Sequence, residues 1–426
     1  MAVMLSVPEA SALPLFTRQT GMPCSGCHFQ HFPMLNSFGR SFKAAGFTMM
    51  GAQGTVEGDG LSIPNALNMT ALTTLGYEKS NMATATLSGM PVGTKNTGDG
   101  TLYVPGTNGE LSLFFGGRVN ENAGFLAELG MEGGAALGSA KMPILYEVAN
   151  GVRAGIVPFT TESQGASYGF ELLNTGANAV HQMSPESGFT DAHSKAISAQ
   201  QYIGTEDFAT GLSFVMNSPM GFINVTKFQQ MGPADMGGQG AGLSSTYGRV
   251  AATLDVAGWD TGFGIQGWSG SSYSLDSDLL GVSGVASTKA SAMDVQMQGE
   301  LGGKPVGFYA SYARAPVVTM NASTLGNVYN YNGTMPRSSL NISAEVGLIP
   351  EKATLGAAIR RAKSGVEIVP GTNATDNAVM VTATYKVSQN MLASLSHTSA
   401  SGGYWNQVNI DAMGSKTTTI NLFTLF

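Results

Sequence analysis

The stretch Leu111-Ser112-Leu113-Phe114-Phe115-Gly116-Gly117-Arg118-Val119 is mostly apolar, but Gly, Ser and Arg recur along it. Segments of about ten residues with this alternation are typical of outer-membrane strands, which turn one face to lipid and one to the lumen. The pattern returns, with some breaks, at residues 247–257, 292–301, 306–313 and 378–385. Together these segments predict an all-β transmembrane barrel of antiparallel strands.

The composition points the same way. Charged residues make up 12 % of the chain, whereas soluble domains average roughly 25 %. Hydrophobic residues reach 43 %, yet no stretch approaches the roughly 18 apolar residues of a membrane helix. A chain that is apolar enough for a membrane but lacks helices to cross it is expected to form a β-barrel. A large soluble β-sandwich or a secreted lectin-like protein is the alternative.

Turns and loops indicate which ends of the strands belong together. Short turns, such as residues 120–123 and 386–390, alternate with long Gly-, Ser-, Thr- and Asn-rich loops, such as residues 270–291 and 361–377. Outer-membrane barrels have short periplasmic turns and long extracellular loops. Since bacterial single-chain barrels have an even strand number, the roughly 17 candidate strands predict about 16, with 14 and 18 as alternatives. The weakest pair flanks Asn150-Gly151, and the apolar C-terminus, Ile420–Phe426, is expected to be the last strand.

The only two cysteines stand three apart, directly before a histidine: Cys24-Ser25-Gly26-Cys27-His28. This C-x-x-C-H run is the attachment signature of a c-type haem, in which two thiols bind the haem vinyl groups and His28 is the proximal axial ligand. A zinc ribbon would need a second pair of ligands. A thioredoxin-like redox pair would leave His28 unexplained. A structural disulfide remains the alternative to one covalently bound haem c.

Residues around this motif could surround the porphyrin. A short helix is expected at residues 36–45, with Phe38 and Phe42 on one face, and Phe29 and Phe32 extend the apolar set. At about 40 residues, this segment is too small to fold without further support. The Gly-rich linker at residues 51–60 is too short to let the segment move far from the barrel. The segment could therefore pack against both haem and the barrel wall, which would supply the missing burial.

The N-terminal part of the chain resembles the outer-membrane monohaem cytochrome–porin fusions, which are best known as iron oxidases. The resemblance lies in residues 15–24, the haem motif, His31-Phe32-Pro33 and residues 35–43. The resemblance covers roughly residues 13–50, and residues 171–176 resemble the same family more weakly. The resemblance implies a haem-bearing segment that plugs the lumen of a porin barrel. It also implies an Fe(II):cytochrome c oxidoreductase-type activity, in which electrons pass from extracellular Fe(II) to a periplasmic c-type cytochrome. Another extracellular donor or acceptor, or a solute porin with a redox-active haem plug, is the alternative.

The expected organisation has four parts. They are a signal-peptide remnant or residues added for expression at 1–12, a monohaem cytochrome c segment at 13–50, a Gly-rich linker at 51–64 and an outer-membrane porin-like barrel at 65–426. The haem segment is expected in the lumen or the periplasmic mouth, with outer-membrane lipid around the barrel. The net charge of −7 argues against nucleic acid as a partner.

The sixth ligand of the haem iron is open on sequence grounds. His31 stands three residues after the proximal histidine and so on the same side of the ring, where it is expected either to form hydrogen bonds or to bind nothing. The candidates are His181, His193, Met49 and Met34, and the two histidines lie in an irregular stretch, residues 160–201, long enough to fold into the pore. A methionine ligand would raise the haem potential relative to a second histidine.

Overall fold

The computed structural model describes residues 14–59, 61–81, 86–87, 90–91, 100–107, 109–131, 136–176, 198–233, 242–274, 284–320, 325–331, 333–406 and 415–426. His181 and His193 fall outside the described residues, as does the segment expected to be a leader remnant, residues 1–12. The statements below concern the described part of the chain.

Antiparallel strands make up most of the chain. Their bounds are β1 (Thr55–Gly58), β2 (Leu61–Pro64), β3 (Asn68–Ser80), β4 (Thr86–Leu87), β5 (Met90–Pro91), β6 (Thr101–Tyr103), β7 (Leu111–Arg118), β8 (Gly124–Gly130), β9 (Ala136–Lys141), β10 (Ile144–Ala149), β11 (Val152–Thr161), β12 (Ala209–Ser218), β13 (Gly221–Gln229), β14 (Ser245–Val256), β15 (Trp259–Ser269), β16 (Ser271–Ser274), β17 (Gly284–Ser287), β18 (Ala290–Leu301), β19 (Lys304–Ala315), β20 (Arg337–Ile349), β21 (Ala353–Val369), β22 (Thr372–Thr375), β23 (Asn377–Ser388), β24 (Met391–Ser401) and β25 (Lys416–Leu425).

The main sheet closes on itself. The last strand, β25, pairs with β24 on one side and with the first long strand, β3, on the other. Closure extends to Phe426, whose backbone N–H donates to the carbonyl of Ala71 at 2.9 Å and whose carbonyl accepts from the N–H of Ala71 at 2.7 Å. The expected C-terminal strand is therefore present. A closed barrel has no open sheet edge, whose backbone N–H and C=O groups would find no hydrogen-bond partners in lipid.

The barrel has 16 strand positions, which confirms the predicted number. Three positions hold two shorter strands each: β6 with β7, β9 with β10, and β22 with β23. The weak pair near Asn150 is explained by the second of these. Both β9 and β10 pair with β11, and the break between them falls at Met142-Pro143, where proline has no N–H for the sheet.

One end of the barrel carries two- and three-residue turns, as the sequence predicted. Two-residue turns at this end join four pairs of consecutive strands: β12–β13, β14–β15, β18–β19 and β23–β24. We call this end the short-turn mouth. At the opposite end, residues 361–377 are not the expected irregular loop. Instead β21 runs on to Val369 and folds back on β22 as a hairpin, and the β-branched Val366, Ile368 and Val369 favour the extended backbone there.

The two faces of the wall follow the alternation of the strands. On β13, the inward-facing Asn224 and Thr226 are fully buried, whereas Ile223 and Val225 are 42 % and 43 % exposed. Polar residues thus line the inside and aliphatic ones the outside, as in membrane barrels.

Four short helices accompany the strands: α1 (Pro14–Thr20), α2 (Cys24–Cys27), α3 (Ser37–Ala44) and α4 (Ala199–Tyr202). Helix α3 lies where a helix was expected, and it begins at Asn36, whose side chain accepts a hydrogen bond from Gly39 N at 2.9 Å. No described helix is long and apolar enough to span a membrane. The stretch expected to be a linker contains the β1–β2 hairpin.

Candidate functional site

Residues 14–50, which we call the N-terminal segment, lie inside the short-turn mouth. Their polar contacts reach strands around much of the barrel circumference. Leu15 N donates to Thr70 Oγ1 at 2.8 Å, Gln30 Nε2 to Glu345 Oε1 at 3.3 Å, Arg40 Nη2 to Asp260 Oδ1 at 2.6 Å, and Asn217 Nδ2 to Ala44 O at 3.3 Å. The segment is therefore held from several directions rather than docked on one strand.

Both cysteines of the haem motif lie on helix α2, one turn apart. Cys24 is 4 % exposed and Cys27 is 7 % exposed, and they are not joined by a disulfide. Cys24 Sγ donates to the carbonyl of Gln389, in a turn of the short-turn mouth, at 3.0 Å. Burial raises the pKa of the Cys27 thiol to about 11, so this thiol is protonated at neutral pH.

His28 leaves the helix in an extended conformation, and its imidazole is buried. Nδ1 lies 3.2 Å from the carbonyl oxygen of Met34. An N–H at Nδ1 donates to that carbonyl, which leaves Nε2 with the lone pair that a metal ligand needs. Burial lowers the pKa of His28 to about 4, so the ring is neutral at physiological pH. A neutral imidazole held by a backbone carbonyl is the usual state of a metal-binding histidine.

An apolar patch of the lumen wall lies next to this histidine. The Phe32 ring is 5.2 Å from the His28 ring and stacks on Phe423 of β25 at 5.3 Å. We call the surrounding cluster the apolar wall; it consists of Leu72, Leu392, Phe423 and Leu425, with Phe32 and Phe114 packed against it. Inward-facing positions of membrane barrels are ordinarily polar. An apolar wall beside the C-x-x-C-H motif therefore fits the flat hydrophobic face of a porphyrin.

A buried amine borders the apolar wall. Lys386 of β23 faces inward, is 9 % exposed, and its Nζ has no hydrogen-bond partner among the described residues. It pairs across the sheet with Leu392 of the apolar wall. Haem carries carboxylate groups as well as an apolar ring, so the thiols, the neutral imidazole, the apolar wall and an unpartnered ammonium together fit this cofactor.

The phenylalanines expected around the haem separate into different environments. Phe32 contacts His28, and Phe29 is half-buried. Phe42 instead packs on Phe16, 4.9 Å between ring centroids, because α3 turns this face towards α1. Phe38, one helical turn before it, is 36 % exposed. Of the four, only Phe32 has a ring contact with the motif among the described residues.

The candidates for a second axial ligand are only partly described. Met34 is buried, but its carbonyl binds the His28 side chain, which places its backbone on the proximal side of any haem held by His28. Its sulfur is thus poorly placed for the opposite face. Met49 is half-buried, and its carbonyl accepts from Gln19 Nε2 at 2.8 Å. His181 and His193 lie outside the described residues.

His31 forms hydrogen bonds through both ring nitrogens, as the sequence suggested. Nε2 lies 2.6 Å from Glu345 Oε2, and Nδ1 lies 2.6 Å from the carbonyl oxygen of Phe32. Burial alone would lower the pKa of His31, but the charge of Glu345 and these hydrogen bonds together raise it. His31 therefore ties the segment to β20 and has no nitrogen left for iron.

A second segment enters the lumen between β11 and β12. Phe170, Leu172 and Leu173 pack inside the barrel wall, and Glu171 lies 2.7 Å from Arg249 of β14. Arg249 also binds Asp294 of β18 with both terminal nitrogens, at 2.6 and 3.0 Å. This segment meets the N-terminal one at Asn174, whose side chain accepts from Leu35 N and donates to Leu35 O. The pore-entering stretch was expected, but its ion-pair partners were not.

Other metal chemistry has little support within the described ranges. No group of three or more His, Cys, Asp or Glu side chains that could hold a metal ion occurs among them. The site residues that the sequence did not indicate are Lys386, Glu345 and the residues of the apolar wall. They are inward positions spread over five strands, so no local motif marks them.

Comparison with known proteins bears on the fold. No family model and no curated protein sequence matches the chain. Among solved structures, in-vitro folded OmpT, an outer-membrane protein of Vibrio cholerae, has a TM-score of 0.50 at 10 % identity, over 87 % of this chain and 99 % of that one. OmpF of Salmonella typhi, solved with daunomycin, has a TM-score of 0.51 at 12 % identity, over 88 % and 100 %. At such low identity the likeness shows the fold alone, which is that of a porin-like β-barrel.

Proposed function

We propose that this protein is an outer-membrane electron conduit, which oxidises extracellular Fe(II) at one covalent haem c and passes the electron to a periplasmic c-type cytochrome. The observation that carries this proposal is the position of the motif. Cys24, Cys27 and His28 lie inside one mouth of a porin-like barrel, against an apolar wall, with His28 neutral and held by a carbonyl. The choice of Fe(II) as donor rests on the resemblance of residues 13–50 to iron-oxidising cytochrome–porin fusions.

The roles of the motif residues follow from their chemistry. The thiols of Cys24 and Cys27 would each add across a vinyl double bond. In each addition an S–C bond forms, the π bond is lost and the thiol hydrogen moves to the neighbouring vinyl carbon, so no oxidant is needed. His28 would offer Nε2 as the proximal ligand, oriented by the carbonyl of Met34. The bound haem supplies reversible one-electron chemistry at iron.

The barrel gives this site a direction across the membrane. Short turns of outer-membrane barrels face the periplasm, which puts the motif within reach of a periplasmic carrier. Fe(II) would then enter from the end with the long loops, into a lumen lined by polar side chains such as Asn224 and Thr226. The aliphatic outer face is suited to outer-membrane lipid.

The direct test is stopped-flow absorbance of haem-loaded protein in detergent, oxidised and mixed anaerobically with Fe(II). Rapid appearance of reduced α and Soret bands, lost in His28→Ala but kept in His397→Ala, is the expected result. His397 is a suitable control because it lies on β24 and binds Thr418 on the exposed side of the barrel. Reduction by dithionite but not by Fe(II) would contradict iron as the donor and favour another donor or electron export.

A solute porin with a redox-active plug is the second candidate, favoured by the porin-like fold. The two segments inside the lumen argue for restricted flow. Liposome swelling with small sugars measures this directly. Swelling near that of empty liposomes supports the conduit, whereas swelling at the rate of an open porin would favour solute transport.

A further inference from the structure

One buried lysine in the short-turn mouth forms no hydrogen bond or close ion pair within the described part of the chain. The Nζ atom of Lys386 has no hydrogen-bond partner among the described residues, although the side chain is 9 % exposed. Leaving an ammonium group buried and unpaired costs several kcal/mol, roughly as for other buried ions. Elsewhere in the described lumen the buried charges of Arg249 and Arg360 are paired with carboxylates. Lys141, the other buried lysine among the described residues, donates to the carbonyl of Tyr168. Lys386 differs from these three cations because its Nζ has no acceptor, and an anion from outside the polypeptide would supply one.

The position of Lys386 connects it to the haem motif. Lys386 is close enough for its charge to act on His28 and His31, and both Cys24 and the carboxylate of Glu351 act on Lys386 in turn. Three residues further on, the carbonyl of Gln389 accepts from Cys24 Sγ at 3.0 Å. The cross-strand partner of Lys386 is Leu392, which belongs to the apolar wall. Phe32 packs between this wall and the ring of His28. Lys386 thus stands at the border between the apolar wall and the thiol that would anchor the ring.

From this arrangement we propose that Lys386 forms an ion pair with a propionate carboxylate of the covalently bound haem. This inference rests on the proposed function, since it requires haem at Cys24 and Cys27. The covalent bonds fix one edge of the porphyrin, and Lys386 would fix its rotation and place a positive charge beside it. Lys386 is therefore a positioning residue, and it also favours the reduced form of the iron, which carries one positive charge fewer.

The test is spectroelectrochemical titration of purified holoprotein in detergent. Lys386→Met should lower the equilibrium constant for reduction about tenfold, which is about 59 mV for one electron. Lys386→Arg should keep most of the wild-type value, because it retains the charge. Lys304→Met is the matched control, since Lys304 is an exposed lysine at the same mouth, bonded to the carbonyl of Leu348. If Lys386→Met fails to fold, Lys386→Gln serves in its place.

The outcomes separate the two claims. Absence of covalent haem in the wild-type protein, measured by the pyridine haemochrome spectrum, would overturn the proposed function and this inference together. Haem present in all variants, with the reduction equilibrium of Lys386→Met changed no more than that of Lys304→Met, would overturn the ion pair alone. A selective fall in Lys386→Met that is reversed in Lys386→Arg would support it.

Discussion

The Nε2 atom of His31 lies 2.6 Å from a carboxylate oxygen of Glu345, and both side chains are almost fully buried. His31 belongs to the N-terminal segment and Glu345 to strand β20, so this pair joins two parts of the chain more than 300 residues apart. Gln30 adds a second bond to the same carboxylate, from its Nε2 to Glu345 Oε1 at 3.3 Å. Because Gln30 and His31 directly follow the C-x-x-C-H motif, these bonds fix the position of the motif relative to strand β20.

Replacing Glu345 by Ala should destabilise the protein. The change leaves His31 buried without its counter-charge, and breaking a buried pair in this way costs about 3–5 kcal/mol in the free energy of unfolding. Urea unfolding of protein refolded in detergent measures the effect. Glu300→Ala, at an exposed site of the same mouth, should change stability by less than about 0.5 kcal/mol. Equal effects of the two variants would contradict the structural role of Glu345.

The same pair should make stability depend on pH. Since the folded-state pKa of His31 is raised, its contribution is fully present below about pH 6.5, the ordinary histidine value. It is lost as the pH rises through the folded-state pKa. The difference in unfolding free energy between wild type and Glu345→Ala should therefore shrink towards alkaline pH. A difference that grows with pH would show that His31 is not the charged partner.

Gly39→Ala should disturb the haem motif itself. A Cβ atom at Gly39 would clash with the carbonyl oxygen of Cys27, so helix α3 or the motif must move. We expect this clash to destabilise the folded protein, measured by thermal unfolding. Gly248→Ala is the control, because nothing lies within 4 Å of a Cβ there. Wild-type thermal stability in Gly39→Ala would contradict the close packing of α3 on the motif.

Phe32 and Phe38 provide a matched pair of phenylalanine substitutions. Phe32→Ala removes the ring between His28 and Phe423; because Phe32 is only partly buried, we expect a cost of about 2 kcal/mol, below the range for a fully buried phenylalanine. Phe38→Ala should cost less than about 1 kcal/mol, since surface changes are mostly small. Thermal unfolding of the two variants, together with the Soret spectrum, checks this order. The reverse order would place the haem against α3 instead of the apolar wall.

Arg249→Ala should loosen the second lumen segment. The variant leaves the carboxylates of Glu171 and Asp294 buried without their cation, which we expect to cost about 3–5 kcal/mol. Limited proteolysis between β11 and β12 and single-channel conductance should both increase. Arg361→Ala, an exposed arginine on β21, should leave both at wild-type values. Unchanged conductance in Arg249→Ala would mean that this segment does not restrict the lumen.

The barrel could be predicted from the sequence because alternation along a strand reports which face meets lipid, as at Ile223 and Val225. The strand number was predictable only approximately. Periodicity cannot tell that Ile144–Ala149 continues the strand before Pro143, since the two pieces are joined only through their shared partner β11. The motif of Cys24, Cys27 and His28 was visible because its ligands are adjacent in the chain. Glu345 and Lys386 were not, because alternation places a residue inside the barrel without telling what faces it.

The burial of Cys24 and Cys27 has a consequence for how the protein is made. Both thiols are buried at the short-turn mouth. The apolar wall beside them includes residues of β3 and β25, the two strands whose pairing closes the barrel. An attachment enzyme needs access to both sulfurs, which the finished barrel denies it. Under the proposed function, haem attachment would therefore have to precede closure of the barrel around these two thiols.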